Sequence, residues 1–232
     1  MNEIGHAIRL ALSLVTHFEP EFVATVLLSF EVSLAAAAIG FAFGAPLGAL
    51  LAVARFPGQA GVVILIDAAL GLPSVVVGLL VYLAFSKSGP FGAFSLLFTP
   101  VVMTLAQSML VFPIVLSLVH RFSEGLWFEY GGALNIDGAS HGRAAAMLLA
   151  MSQVSLVTVF LAAFGRAIAE VGAILMVGGN IRGFTRTMTT TIALDTSEGD
   201  LALALGLGMV LLLLSFVVSV TASAISQVAR RR

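Results

Sequence analysis

The sequence predicts an all-α membrane protein with about five spans, and three observations carry that prediction. Hydrophobic residues make up 59% of the 232-residue chain, charged residues 10%, and mean hydropathy is +1.10. A soluble domain has about a quarter of its residues charged. The apolar residues also gather in long runs, each reaching the roughly 20 residues that a helix needs to cross a bilayer. Finally, several of these runs are interrupted by Gly or Pro, as expected where helices line a path or rearrange and the freed backbone is satisfied by neighbours or cavity water. Ordinary kinking is the alternative at each proline.

Composition removes several function classes. A net charge of −1 offers no basic surface for nucleic acid. With no cysteine, disulfides, thiolate metal sites and a cysteine nucleophile are excluded. The sole lysine, Lys87 in Phe85-Ser86-Lys87-Ser88, lacks the glycine that a phosphate loop places directly before it. If ATP drives this chain, another polypeptide binds the ATP. No charged segment, apolar core and small-residue cleavage site follow one another at the amino terminus, so no cleaved signal peptide is predicted.

Along the chain, residues 1–21 read as an amphipathic segment. Ile4, Ile8, Ala11, Leu12, Val15 and Phe18 share one helical face, with His6, Arg9, Ser13 and His17 elsewhere; a frayed terminus is the other reading. The first apolar run, Phe22 to Ala54, exceeds one bilayer span and predicts a tilted or protruding helix. In it Gly40, Gly44 and Gly48 recur at spacing four after Ala36, a small-residue stripe that lets another helix approach closely. Pro46 predicts a kink. The second run, Gly61 to Phe85, breaks at Gly71-Leu72-Pro73. The third, Pro100 to Val119, contains Pro113. The fourth extends from Ala144 to Val177 and the fifth from Leu201 to Gln227. Phe122 to Arg143 is expected as the longest cytoplasmic loop, with Trp127, Phe128 and Tyr130 at the interface and a short helix from Gly131 to Ala145.

Orientation follows from Lys and Arg. Five spans put the termini on opposite sides, and a cytoplasmic carboxyl terminus gathers Arg55, Arg121, Arg143 and Arg230 to Arg232 there. Arg9, Lys87, Arg182 and Arg186 fall on the other side, with Arg166 inside a span. The amino terminus is expected outside and residues 228–232 form a basic cytoplasmic tail.

The polar residues inside or beside the spans are the functional candidates. Arg166 and Glu170 lie four apart, so they share a helical face and can pair. An unpaired charge near the bilayer centre costs at least about 3 kcal/mol on insertion scales. Pathway or gate is one role for the pair, and a structural bridge the other. Glu31 and Asp67 are the remaining acids within apolar runs, Asp67 as a solvated helix-end residue and Glu31 as a pairing candidate. The Thr185 to Thr191 run, with Thr185, Arg186, Thr189 and Arg182, offers hydroxyl and guanidinium donors that suit a tetrahedral oxyanion; a capped, solvated turn is the alternative. Gly178-Gly179-Asn180 reads as a helix stop with positive backbone dihedrals. His6, His17, His120 and His141 are scattered over different segments, against a shared metal site.

The segment around Gly138 resembles the coupling loop of type I ABC transporter permeases, Glu-Ala-Ala, three residues, Gly, nine residues, Ile, one residue, Leu-Pro. Aligned on Gly138, the leading slots are Gly132, Ala133 and Leu134 and the trailing ones Leu148, Ala150 and Met151, so the glutamate and the proline are absent. Phe164-Gly165-Arg166-Ala167-Ile168-Ala169-Glu170-Val171-Gly172-Ala173, Val177-Gly178-Gly179-Asn180-Ile181 and Thr185-Arg186-Thr187-Met188-Thr189-Thr190 resemble the permease subunit of the tungstate ABC importer family. The resemblance implies a type I transmembrane domain over residues 22–227 with a cytoplasmic coupling helix. It also implies a transport subunit and no enzyme, in the cell inner membrane, working as a homodimer. Implied partners are two ABC ATPase subunits, which carry ATP and Mg, so that this chain holds no cofactor, and an extracytoplasmic oxyanion-binding protein. Gly132, Ala133, Gly138, Ala139, Ser140, His141 and Arg143 are the residues implied at the ATPase contact. Molybdate, sulfate and phosphate permeases share the general fold, and an ion-coupled secondary carrier is a further alternative, for which no repeat of paired broken helices is visible.

Overall fold

The computed structural model describes Gly5, Arg9, Ser13 and residues 20–230, without the side chains of 202, 226 and 228–230. The expected amphipathic segment 1–21 lies largely outside these residues, as do the side chains of the tail. Nine α-helices and one 3-10 turn make up the described chain: α1 Pro20–Val53, α2 Gln59–Ala69, α3 Ser74–Phe85, the turn Gly92–Phe94, α4 Pro100–Ile136, α5 His141–Met151, α6 Gln153–Ile168, α7 Gly172–Gly178, α8 Met188–Glu198 and α9 Leu201–Arg230. Helices α1, α4 and α9 are each long and apolar enough to cross a membrane, and the pairs α2/α3 and α5/α6 bring the possible spans to five.

Proline and glycine punctuate the chain where their backbone chemistry predicts. Pro20 and Pro100 each open a helix, at the position where a missing N–H costs nothing. Gly58, with φ of 89°, precedes α2, and Pro73, with φ of −64°, ends the break between α2 and α3. Pro46 and Pro113 are carried inside continuous α1 and α4. The expectation for Phe122 to Arg143 needs correction. Helix α4 continues through that segment to Ile136, and the next helix starts at His141 rather than at Gly131. The fourth run is likewise not one helix. It is divided into α5, α6 and α7, with α5 and α6 bent by 82° about Ser152.

The chain forms two compact units. The first contains the chain up to Ala35, Pro73–Gln107 and Arg166–Val217. Its core is the packing of α3 on α7, where glycine permits close approach. A Cβ on Gly78 would stand 2.7 Å from the Ala173 Cα, and one on Gly172 would stand 2.7 Å from Val75 Cγ2. Buried Val77 and Val81 of α3 lie with Ala173, Ile174 and Val177 of α7 in this core. Gln107 of α4 donates from Nε2 to the Ala167 carbonyl at 2.8 Å, pinning the end of α6.

The second unit contains Ala36–Leu72, Ser108–Gly165 and the chain from Val218. Here the glycine stripe of α1 lies against α4. A Cβ on Gly40 would meet Val111 at 2.9 Å, one on Gly44 would meet Val115 at 3.0 Å, and one on Gly48 would meet the Leu116 carbonyl oxygen at 2.7 Å. The stripe therefore serves packing inside one chain, with close contact supplying the attraction that apolar burial cannot supply in lipid. Phe41 and Phe160 add an edge-to-face contact at 5.6 Å. Asp67 is not simply solvated: Ser117 Oγ donates to its Oδ1 at 2.7 Å and the Arg121 guanidinium pairs with it at 3.2 Å.

Candidate functional site

The turn around Gly138 belongs to the second unit and is built by helix-end chemistry. As α4 runs out, Ala139 N donates to the Leu134 carbonyl at 3.0 Å and Gly138 N to the Asn135 carbonyl at 3.1 Å, the paired bonds of a Schellman stop. That stop needs a left-handed residue, and Gly138 supplies it with φ of 70°. Ser140 then caps α5, its Oγ accepting from Arg143 N at 3.4 Å. Gly132, Ala133, Gly138, Ser140, His141 and Arg143 are exposed and Ala139 half-exposed. Phe128 and Ile136 stand beside them in sequence at 95% and 88% exposure, two large apolar side chains on the solvent side of α4. The bend is thus capped on both sides and exposed.

All five pathway candidates, Arg166, Glu170, Thr185, Arg186 and Thr189, fall in the first unit. Arg166 Nη1 donates to Glu170 Oε2 at 2.6 Å, but Glu170 lies beyond the end of α6, in the break before α7. The pair is asymmetric: the Arg166 side chain is 42% exposed and that of Glu170 only 3%. Glu170 Oε1 accepts from the Ala173 backbone N–H at 3.1 Å, and the Ser74 hydroxyl also donates to the carboxylate. One carboxylate thus gathers the start of α7, the start of α3 and the last turn of α6. The desolvation that burial imposes on it is offset by charge-assisted bonds from three donors.

Of the two readings of the threonine run, the helix-capping one holds, but the run is not solvated. Thr185, Thr187, Thr189, Thr190 and Thr191 are all buried. Thr187 and Thr190 form a capping box that opens α8, with Thr190 N to Thr187 Oγ1 at 3.4 Å and Thr187 N to Thr190 Oγ1 at 3.0 Å. Thr185 Oγ1 accepts from Ile181 N at 2.9 Å and donates to the Gly178 carbonyl at 2.6 Å. Thr189 Oγ1 donates to the Glu170 carbonyl at 2.8 Å, so Thr189 and Glu170 are brought together through the backbone. The helix stop at Gly179 and Asn180 has the expected positive dihedrals, 68° and 50°.

Arg186 is set apart from that network. It lines a cavity of about 470 Å³ with Pro20, Glu21, Ala24, Thr25, Leu28, Arg182, Gly183 and Phe184. Arg182 makes a bidentate pair with the Glu21 carboxylate, while Arg186 Nη1 stays 4.0 Å from Glu21 Oε1. Ser74 and Glu21 escaped the sequence reading. Pro73 before Ser74 and Pro20 before Glu21 marked helix starts, but nothing marked their distant partners. Glu31 lies exposed on α1.

Comparison with known proteins agrees with this architecture. Residues 44–231 match the family model described as binding-protein-dependent transport system inner membrane component. The chain is 35% identical, over 98% of its own length and all of the other's, to the tungstate uptake system permease protein TupB of Peptoclostridium acidaminophilum. It is 39% identical to a probable anion ABC transporter permease protein of Haloferax volcanii, over 75% of this chain and 77% of that one. Identity to the molybdenum transport system permease protein ModB of Escherichia coli K12 is 29%, over 75% of this chain and 79% of that one. The wide span of the family match and the helical, membrane-length architecture lead to one assignment: the chain belongs to the inner-membrane components of binding-protein-dependent transport systems, as a multi-pass transport subunit.

Proposed function

We propose that this chain is the permease subunit of an ABC importer that carries tungstate. The observation that carries the reading is the end-to-end likeness to a tungstate uptake permease. The exposed, rigidly capped bend at Gly138 supports it, because a passage that binds no nucleotide needs a surface where a motor can grip. Two copies of the chain form the pore, and two ATPase subunits, holding ATP and Mg, engage Gly132, Ala133, Gly138, Ala139, Ser140, His141 and Arg143. Closure of the ATPase pair moves this bend and shifts the helices between two states, which opens the outer gate. An extracytoplasmic protein delivers the anion on the side of Arg182 and Arg186, with the amino terminus outside and the carboxyl terminus in the cytoplasm. Arg166 and Arg186 belong to the pathway, and Glu170, Thr185 and Thr189, buried and bonded to the backbone around them, hold its gate in place.

The test is reconstitution. Proteoliposomes containing the chain and its ATPase, supplied with the binding protein, are expected to accumulate tungstate only when ATP is hydrolysed. Uptake by this chain alone, without nucleotide, would overturn the importer reading. Equal competition by sulfate would overturn the cargo, and stronger competition by molybdate would replace it.

A further inference from the structure

The cavity at the start of α1 gathers charges of both signs. Its lining contains two guanidiniums and one carboxylate. Arg182 uses its fork on Glu21, yet its side chain remains 72% exposed. Arg186 is only 19% exposed, stands at 4.0 Å from the same carboxylate and has a buried Nε with no hydrogen-bond partner among the described residues. Asp195 is a second acid within electrostatic reach of Arg186, and its own buried Oδ2 also lacks a partner among the described residues. A buried guanidinium donor without a partner is costly in a resting structure. The same guanidinium lines the cavity, with Nη1 at 4.0 Å from Glu21 Oε1, beyond hydrogen-bond distance and open to a better-placed acceptor.

We infer that this cavity is a low-affinity acceptor site for a tetrahedral oxyanion dianion, and that the Glu21 carboxylate is its resident placeholder. The inference rests on the proposed oxyanion cargo. A dianion presents more oxygens than the single carboxylate and can engage the Arg182 fork and the Arg186 Nη groups at once, where among the described residues Glu21 hydrogen-bonds to Arg182 alone. Thr25 and the first turn of α1 complete the lining. Because Glu21 is tethered beside the guanidiniums, it competes at the high effective concentration of an intramolecular ligand. The site is therefore weak by construction. Weakness suits a place where an anion must arrive and leave, and displacement of Glu21 would release the start of α1 from the loop that carries Arg182.

Equilibrium dialysis of the full chain in lipid nanodiscs, with tungstate as probe and chloride as background anion, tests the site. Wild type is expected to bind weakly, and Glu21→Gln to bind about tenfold more tightly, because the competitor is gone while both guanidiniums stay. Adding Arg186→Gln to Glu21→Gln removes the gain. Should that double variant not fold, Arg182→Gln, at an exposed position, must give the same loss. Absence of tungstate binding in Glu21→Gln, or binding that ignores both arginine substitutions, overturns the inference. Uptake by the reconstituted transporter separates this from the cargo assignment: tungstate transport without binding here sinks the site alone, and binding here without tungstate transport sinks the cargo alone.

Discussion

Glu170→Gln is the substitution for which the structure gives the sharpest expectation. The change keeps size and shape and removes charge. It acts on a side chain that is 3% exposed and that accepts from Arg166 Nη1 at 2.6 Å, from Ala173 N at 3.1 Å and from the Ser74 hydroxyl. An amide accepts on one oxygen only and turns an NH₂ toward the remaining donors. Hydrogen bonds to a charged group contribute about 1.5–3 kcal/mol each, against about 1 for neutral ones. Arg166, 42% exposed, recovers part of its loss from water. The expected net cost is about 2 kcal/mol, which corresponds to about 4–8 °C in Tm for a chain of this size. Arg166→Gln leaves the buried carboxylate its other two donors but no counter-charge, and is expected to cost at least as much in Tm. Thermal unfolding of the purified variants, followed by light scattering or intrinsic fluorescence, measures both. An equal Tm for wild type and Glu170→Gln, or an undiminished Tm in Arg166→Gln, would refute the reasoning that this carboxylate organises the break between α6 and α7.

Three other substitutions test separate parts of the structure. Gly48→Val places a side chain 2.7 Å from the Leu116 carbonyl oxygen and is expected to destabilise the second unit by about 1–3 kcal/mol, visible as lost monodisperse yield on size exclusion; undiminished yield and Tm would count against the α1–α4 contact. Gly138→Val forces a branched residue to φ of 70°, at about 1–2 kcal/mol, and is expected to raise the ratio of ATP hydrolysed to tungstate imported while the protein still folds; an unchanged ratio removes the bend from coupling. Asp195 is held above its ordinary value of 3.8, first by burial and then by Asp200. The folded chain therefore binds this proton more tightly than the unfolded one, so stability falls as pH rises from about 3.8 to the raised value, and the penalty persists above it. Asp195→Asn is expected to raise Tm at neutral pH and to flatten that part of the pH profile, and a lower Tm at pH 7 would contradict the sign.

What the sequence disclosed was local. The stripe of Gly40, Gly44 and Gly48, the break at Gly71-Leu72-Pro73, the stop at Gly179-Asn180 and the Arg166–Glu170 pair are each encoded within a turn or two by residue size, backbone freedom or spacing. Hydropathy misled where it was asked about helix rather than membrane. The segment after Val119 becomes polar, with Arg121, Glu124 and Glu129, so it reads as leaving the bilayer, yet α4 continues to Ile136. The reverse happened after Ala144, where apolar residues persist through the bend at Ser152 and the chain turns without a proline. The capping role of the threonines was legible but their burial was not, because chain distant in sequence lies beside them: Met188 N, inside the run, donates to Ser29 Oγ across 159 residues, and nearby Arg182 reaches Glu21 across 161. No pattern within a window records such pairs.

The four residues between α4 and α5 decide how motion passes through the bend. Asp137, Gly138 and Ala139 are each fastened by a backbone bond to α4, and Ser140 by its side chain to α5. In the proposed transporter, a push on this knuckle finds no slack to take up and swings both helices as a stiff elbow. Insertion of two glycines after Ala139 would leave every helix intact and turn the elbow into a hinge, so that a motor could close on it and move nothing beyond.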